Sequence, residues 1–79
     1  MPKLIRIGGD DLLKILLKKG FVLVRQKSSH VRLVFQLGEN KQFLTIPLHS
    51  ELDRGTLKSI IRSVQKCLSK EEIIKLFYK

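Results

Sequence analysis

Along this chain the apolar positions change period, and each change marks an element. In DDLLKILLKK, residues 10–19, Leu12, Leu13, Leu16 and Leu17 recur at the three- and four-residue spacing that lines one side of a helix. Asp10 and Asp11 open the segment, Lys18 and Lys19 close it and Gly20 follows, so both helix ends carry their signals. FVLVRQ, residues 21–26, is short, β-branched and aromatic, and predicts a strand. HVRLVFQL, residues 30–37, alternates: Val31, Leu33, Phe35 and Leu37 share one side, while His30, Arg32 and Gln36 share the other with Val34 between them. GENK supplies turn residues, after which QFLTIPLH, residues 42–49, sets Leu44, Ile46 and Leu48 against Phe43, Thr45 and Pro47. Pro47 has no N–H for a ladder and marks an edge or the end of its strand.

After the loop SELDR, the segment GTLKSIIRSVQKCL repeats Leu57, Ile60, Ile61, Val64 and Leu68 at helical spacing, with Thr56 as the expected N-cap. Lys58, Arg62 and Lys66 line its other side, four residues apart. SKEE fits a capping box, Ser69 with Glu72, opening a short last helix through Ile73, Ile74 and Phe77. The pattern predicts an α+β domain of order α-β-β-β-α with a further short C-terminal helix. Two amphipathic helices cover one face of a three-stranded antiparallel sheet, and the other face stays largely open. No repeat or linker interrupts it, so residues 1–79 read as one domain.

A length of 79 residues leaves room for one compact core and none for a separate cofactor domain. Hydrophobic residues make up 43% of the chain, enough to fold. Charge adds more: 16 Lys plus Arg stand against 7 Asp plus Glu, a formal net charge of +9. A polyanionic partner is the first reading, nucleic acid before an acidic protein or a merely solvated surface. Cys67 is the sole cysteine, which excludes an intrachain disulfide and a cysteine-based zinc site and fits a reducing compartment. The opening MPKLIRIGGDD has no signal-peptide core, and no segment approaches the roughly 20 apolar residues of a membrane span. A cytoplasmic protein is expected.

The chemistry concentrates in RQKSSHVRLVF, residues 25–35. If Val31, Leu33 and Phe35 face the helices, period-two geometry sends His30 and Arg32 to the open face. Imidazole has a reference pKa near 6.5 and exchanges protons near neutral pH. RNA carries its own nucleophile, the 2′-hydroxyl, so its cleavage needs a base, cations for the phosphorane charge and alignment. Arg25, Lys27 and Arg32 supply charge, and Ser28 or Ser29 can hold a phosphate oxygen by hydroxyl or backbone N–H. His49 is a second proton carrier or simply a solvated loop residue, and Lys58 and Arg62 track a phosphate backbone or simply face water. Two histidines and one cysteine at this spacing suit no zinc site, and IGGDD spells no phosphate loop, so no metal or cofactor is expected. Cys67, among apolar neighbours, reads as packing.

Several of these motifs, in this order, resemble one family. LLKILLKKGFVLVRQKSSHVRLVF is similar to the leucine-rich helix, Gly-Phe and Gly-Ser-His core of the HicA-type toxins, and IPLHSELDRGTLKSIIRSV is similar to their Pro-x-His and Gly-Thr-Leu segment. The resemblance implies a double-stranded-RNA-binding-domain-like fold, an mRNA-cleaving endoribonuclease (mRNA interferase) with His30 as catalytic histidine, and inhibition by a HicB-like antitoxin. Ser28 stands where the family usually has glycine, a residue that permits a tight turn. The alternative from another class is a non-catalytic RNA-binding module of the same fold, which binds duplex RNA by shape and phosphates alone.

Overall fold

The computed structural model describes residues 3–79, so Met1 and Pro2, at the head of the opening stretch, lie outside the described residues. The elements follow in the order α1 (Gly9–Lys18), β1 (Val22–Lys27), β2 (His30–Leu37), β3 (Asn40–Pro47), α2 (Arg54–Val64) and α3 (Lys70–Phe77). The strands form one antiparallel sheet in the order β1-β2-β3. Leu12 and Leu16 of α1 and Leu57, Ile60, Ile61 and Val64 of α2 bury against Val31 and Leu33 of β2 and Leu44 and Ile46 of β3. The two-layer α+β arrangement expected from the alternation is therefore the one formed. Helix α3 is more than an appendage: Ile73 and Phe77 are buried in the same core, Phe77 completely.

Local chemistry sets where each element starts and stops. Helix α1 ends in a Schellman turn, with Gly20 at φ 103° and the Phe21 N–H donating to the Leu16 carbonyl at 3.1 Å. That turn drops Phe21 into the core, and β1 starts one residue later than its apolar run predicts. Helix α2 corrects a second expectation. Its N-cap is Asp53, whose carboxylate accepts the Thr56 N–H at 3.2 Å, and Thr56 lies inside the first turn instead of capping it. An aspartate carboxylate accepts strongly from the helix N-terminus and also takes a hydrogen bond from the Thr56 hydroxyl, which fixes the start at Arg54. The helix stops at Val64, short of the expected Leu68, where a turn carries the chain to Ser69. There the capping box forms as read, with the Glu72 N–H on Ser69 Oγ at 3.2 Å.

Two contacts are non-local. The chain ends pair, Lys3 N–H to the Lys79 carbonyl at 2.7 Å and Ile5 N–H to the Phe77 carbonyl at 2.9 Å, which ties α3 to the start of the described chain. Gly8 and Gly9 let α1 press its backbone on the segment after β3. A Cβ on Gly9 would collide with the Pro47 carbonyl oxygen, and Gly9 N–H donates to the His49 carbonyl at 2.9 Å. The glycine pair of IGGDD thus serves packing.

Candidate functional site

Both hairpins close on two-residue loops, Lys27 pairing with His30 and Leu37 with Asn40. Each loop carries positive φ at its first residue, 55° at Ser28 and 59° at Gly38, a conformation natural to glycine and costly for serine. The first loop is fastened to the chain just past β3, because the Ser29 carbonyl accepts the Leu48 N–H at 2.7 Å. His30 therefore leaves a constrained turn as the first residue of β2.

Cross-strand pairing sorts side chains by face, since paired residues point the same way. Val31 and Leu33 are fully buried under the helices, so His30 and Arg32, both exposed, stand on the open face. Three rows cross it: Lys27, His30 and Pro47; then Arg25, Arg32 and Thr45; then Val22, Val34 and Phe43. Strand β1 contributes through a bulge. In an unbroken strand Leu23 and Arg25 would share a face, but the register shift between them pairs Leu23 with Leu33 and Arg25 with Arg32, on opposite faces.

Arg25, Lys27, His30, Arg32 and Thr45 line a shallow groove of about 200 Å³ on this face. No acidic residue lies in any of the three strands, so the face carries cations without carboxylates. Among the described residues the one ion pair is Lys19 with Glu72 at 3.3 Å, and neither of the two lines the groove. The groove cations therefore remain available to an anionic ligand. Arg32 also lies over the Phe43 ring at 4.6 Å from its centroid, a cation–π contact worth about 0.5–1 kcal/mol at an exposed site. Phe43 is itself 41% exposed.

The site residues read from the sequence divide into two groups. Arg25, Lys27, His30 and Arg32 come together, with Ser28 and Ser29 exposed in the adjoining turn. Lys58 and Arg62 lie exposed on α2, in the helix layer whose core-facing residues back the other side of the sheet. Lys66 follows in the turn beyond that helix. His49 does not line the groove of His30. Its carbonyl is used by Gly9, and its side chain is exposed. Burial pushes the Cys67 thiol up, and its sulfur lies 4.0 Å from the Ser63 carbonyl, the setting of a protonated packing residue. Among the described residues no three of His, Cys, Asp or Glu gather as a metal-binding group, and no helix is long and apolar enough to cross a membrane. The residue that sequence reasoning passed over is Phe43. Its parity with Thr45 and Pro47 already put an aromatic ring on the open face.

No curated protein and no solved structure matches the chain. A family model does: that of the HicA toxin of bacterial toxin–antitoxin systems matches residues 9–65, a span from the first residue of α1 to the end of α2 that contains the whole sheet and its basic groove. With well over half its length matched, the chain belongs to the HicA toxin family.

Proposed function

We propose that this toxin is an endoribonuclease that cleaves mRNA without a metal, using the RNA 2′-hydroxyl as nucleophile and His30 as the proton carrier. The observation that carries the reading is the placement of His30 in an open groove among Arg25, Lys27 and Arg32, with no carboxylate in the sheet. In the reaction a base removes the 2′-hydroxyl proton, the O2′–P bond forms, the P–O5′ bond breaks and the departing 5′-oxygen takes up a proton. The products are a 2′,3′-cyclic phosphate and a 5′-hydroxyl. An imidazole at the scissile phosphate serves one of these proton transfers, a contribution typically of 10²–10⁴-fold. The guanidinium groups of Arg25 and Arg32 and the ammonium of Lys27 offset the phosphorane charge. Ser28 and Ser29, exposed in the adjoining turn, offer a hydroxyl or N–H to a phosphate oxygen in this reading.

A HicB-like antitoxin inhibits this activity by covering the same face. A surface of one charge sign speeds encounter with an acidic partner, while apolar groups anchor the complex. Val22 of β1, 60% exposed and in one row with Val34 and Phe43, offers such an anchor beside the groove.

The test is substitution at the proton carrier. His30→Ala and His30→Gln remove cleavage and growth inhibition while the circular dichroism spectrum stays that of the wild type, because an exposed strand residue contributes little packing. Full toxicity in folded His30→Ala protein contradicts the assignment. A non-catalytic RNA-binding module, in contrast, would leave RNA intact in wild type and variant alike.

A further inference from the structure

We propose that Phe43 is a base-stacking platform, so that the open face takes single-stranded RNA with one base laid against the Phe43–Arg32 stack. The inference rests on the RNA-cleaving reading of the groove and adds to it the form of the substrate and the residue that positions it.

Phe43 breaks the usual economy of an exposed strand position. It lies on the solvent face of the edge strand β3, 41% exposed, in one row with Val22 and Val34. The Arg32 guanidinium over its ring holds it in place and sets a positive charge at its border. Arg32 also lines the groove that contains His30, so one side chain joins the ring to the proposed reaction centre. An apolar ring with a guanidinium over it, next to a cationic groove on a sheet without carboxylates, matches the alternation of base and phosphate in a nucleic-acid strand. Base faces are hidden in a duplex and free in a single strand, and stacking on an aromatic or guanidinium plane is how unpaired bases are held. Duplex RNA would meet only the cations and leave the ring idle.

The chain contains no tryptophan, which makes Phe43→Trp a single fluorescent reporter. Binding is read in His30→Ala protein, where RNA is not cut, with a short mixed-sequence single-stranded RNA, the same strand annealed to its complement, and a fully abasic oligomer. The expected result is that Phe43→Ala weakens single-strand binding by about tenfold, consistent with stacking effects of this class. It leaves the abasic oligomer unaffected, and Phe43→Trp retains affinity and is quenched by the single strand only. In the cleaving protein Phe43→Ala raises KM more than it lowers kcat. Unchanged single-strand affinity in folded Phe43→Ala protein overturns the proposal, as does equal loss on the abasic oligomer. A loss confined to antitoxin binding overturns it too, and assigns the ring to a protein partner. The two readings separate cleanly: stacking on Phe43 without any cleavage by wild type removes the nuclease and keeps the platform, and full cleavage by Phe43→Ala at unchanged KM does the reverse.

Discussion

Ser28 shows how much one residue can hold. Its φ of 55° places an L side chain in the left-handed region at the turn that presents His30, where the matching turn of the second hairpin uses Gly38 at 59°. The left-handed conformation costs an L residue roughly 1–2 kcal/mol, and glycine returns roughly 0.5–1 kcal/mol of that as lost chain entropy. Ser28→Gly should therefore stabilise the domain by about 0.5–1 kcal/mol and raise Tm by a few degrees. Ser28→Val, bulky at the branch point, should lower it. Thermal unfolding of the three proteins checks the order, and a Ser28→Gly midpoint at or below wild type contradicts the strain. The sequence showed a serine where glycine is usual, but strain became an argument only once the backbone angle was known.

At the scale of elements, the parts set by local periodicity were legible and the parts set by distant contacts were not. Strand β2 runs over His30–Leu37 as its alternation reads, and Ser69 caps α3 as its spacing reads. Thr56 lost the α2 cap to Asp53 because the stronger acceptor stood three residues earlier. The β1 bulge was invisible in VLVR, an apolar run with no alternation to break. Pairing of the chain ends and the close approach of Gly9 to Pro47 depend on residues far apart in sequence. Gly9→Ala should be among the most damaging small substitutions. Its methyl group would meet the Pro47 carbonyl, forcing α1 away from the loop after β3 at about 1–3 kcal/mol, read as a lower denaturation midpoint. Asp53 gives a pH test. Hydrogen bonds from the Thr56 hydroxyl and N–H hold its carboxyl below the ordinary 3.8. A depressed carboxyl stabilises the fold above its unfolded value and loses that contribution as pH falls through the lower folded value. Asp53→Asn should thus lower stability at neutral pH and flatten its loss below about pH 4. A variant whose acid unfolding profile overlays the wild type rules out the Asp53 carboxylate charge as a contributor.

For the whole molecule, a net charge of +9 points toward a polyanionic partner, and strand parity is enough to give His30 its face. Parity already put Arg32 on the face of His30, but spacing could not show that Arg25 and Lys27 join that groove while Lys58 and Arg62 stand on the helix layer. If the three groove cations each neutralise a phosphate, the logarithm of single-strand affinity should fall with the logarithm of salt with a slope of about −2. A Lys27→Glu, Arg32→Glu double variant should flatten that slope. The same variant should bind antitoxin with a slower on-rate and a largely retained lifetime, and bound antitoxin should exclude RNA. Surface-plasmon traces at two ionic strengths decide this, and simultaneous binding of RNA and antitoxin would show that inhibition acts from another surface.

The central claim is that RNA supplies the nucleophile and His30 moves a proton for it. Its most direct test is one end-labelled RNA, made once with ribose throughout and once with a single 2′-deoxy residue on the 5′ side of a mapped cleavage site. Both are incubated with wild type and with His30→Ala in excess chelator. The account predicts that wild type cuts the all-ribose strand to a 2′,3′-cyclic phosphate or 3′-phosphate and a 5′-hydroxyl. It also predicts that the single deoxy residue abolishes that cut, and that His30→Ala cuts neither strand. Cleavage of the deoxy-substituted bond, or a 5′-phosphate on the product, would contradict it.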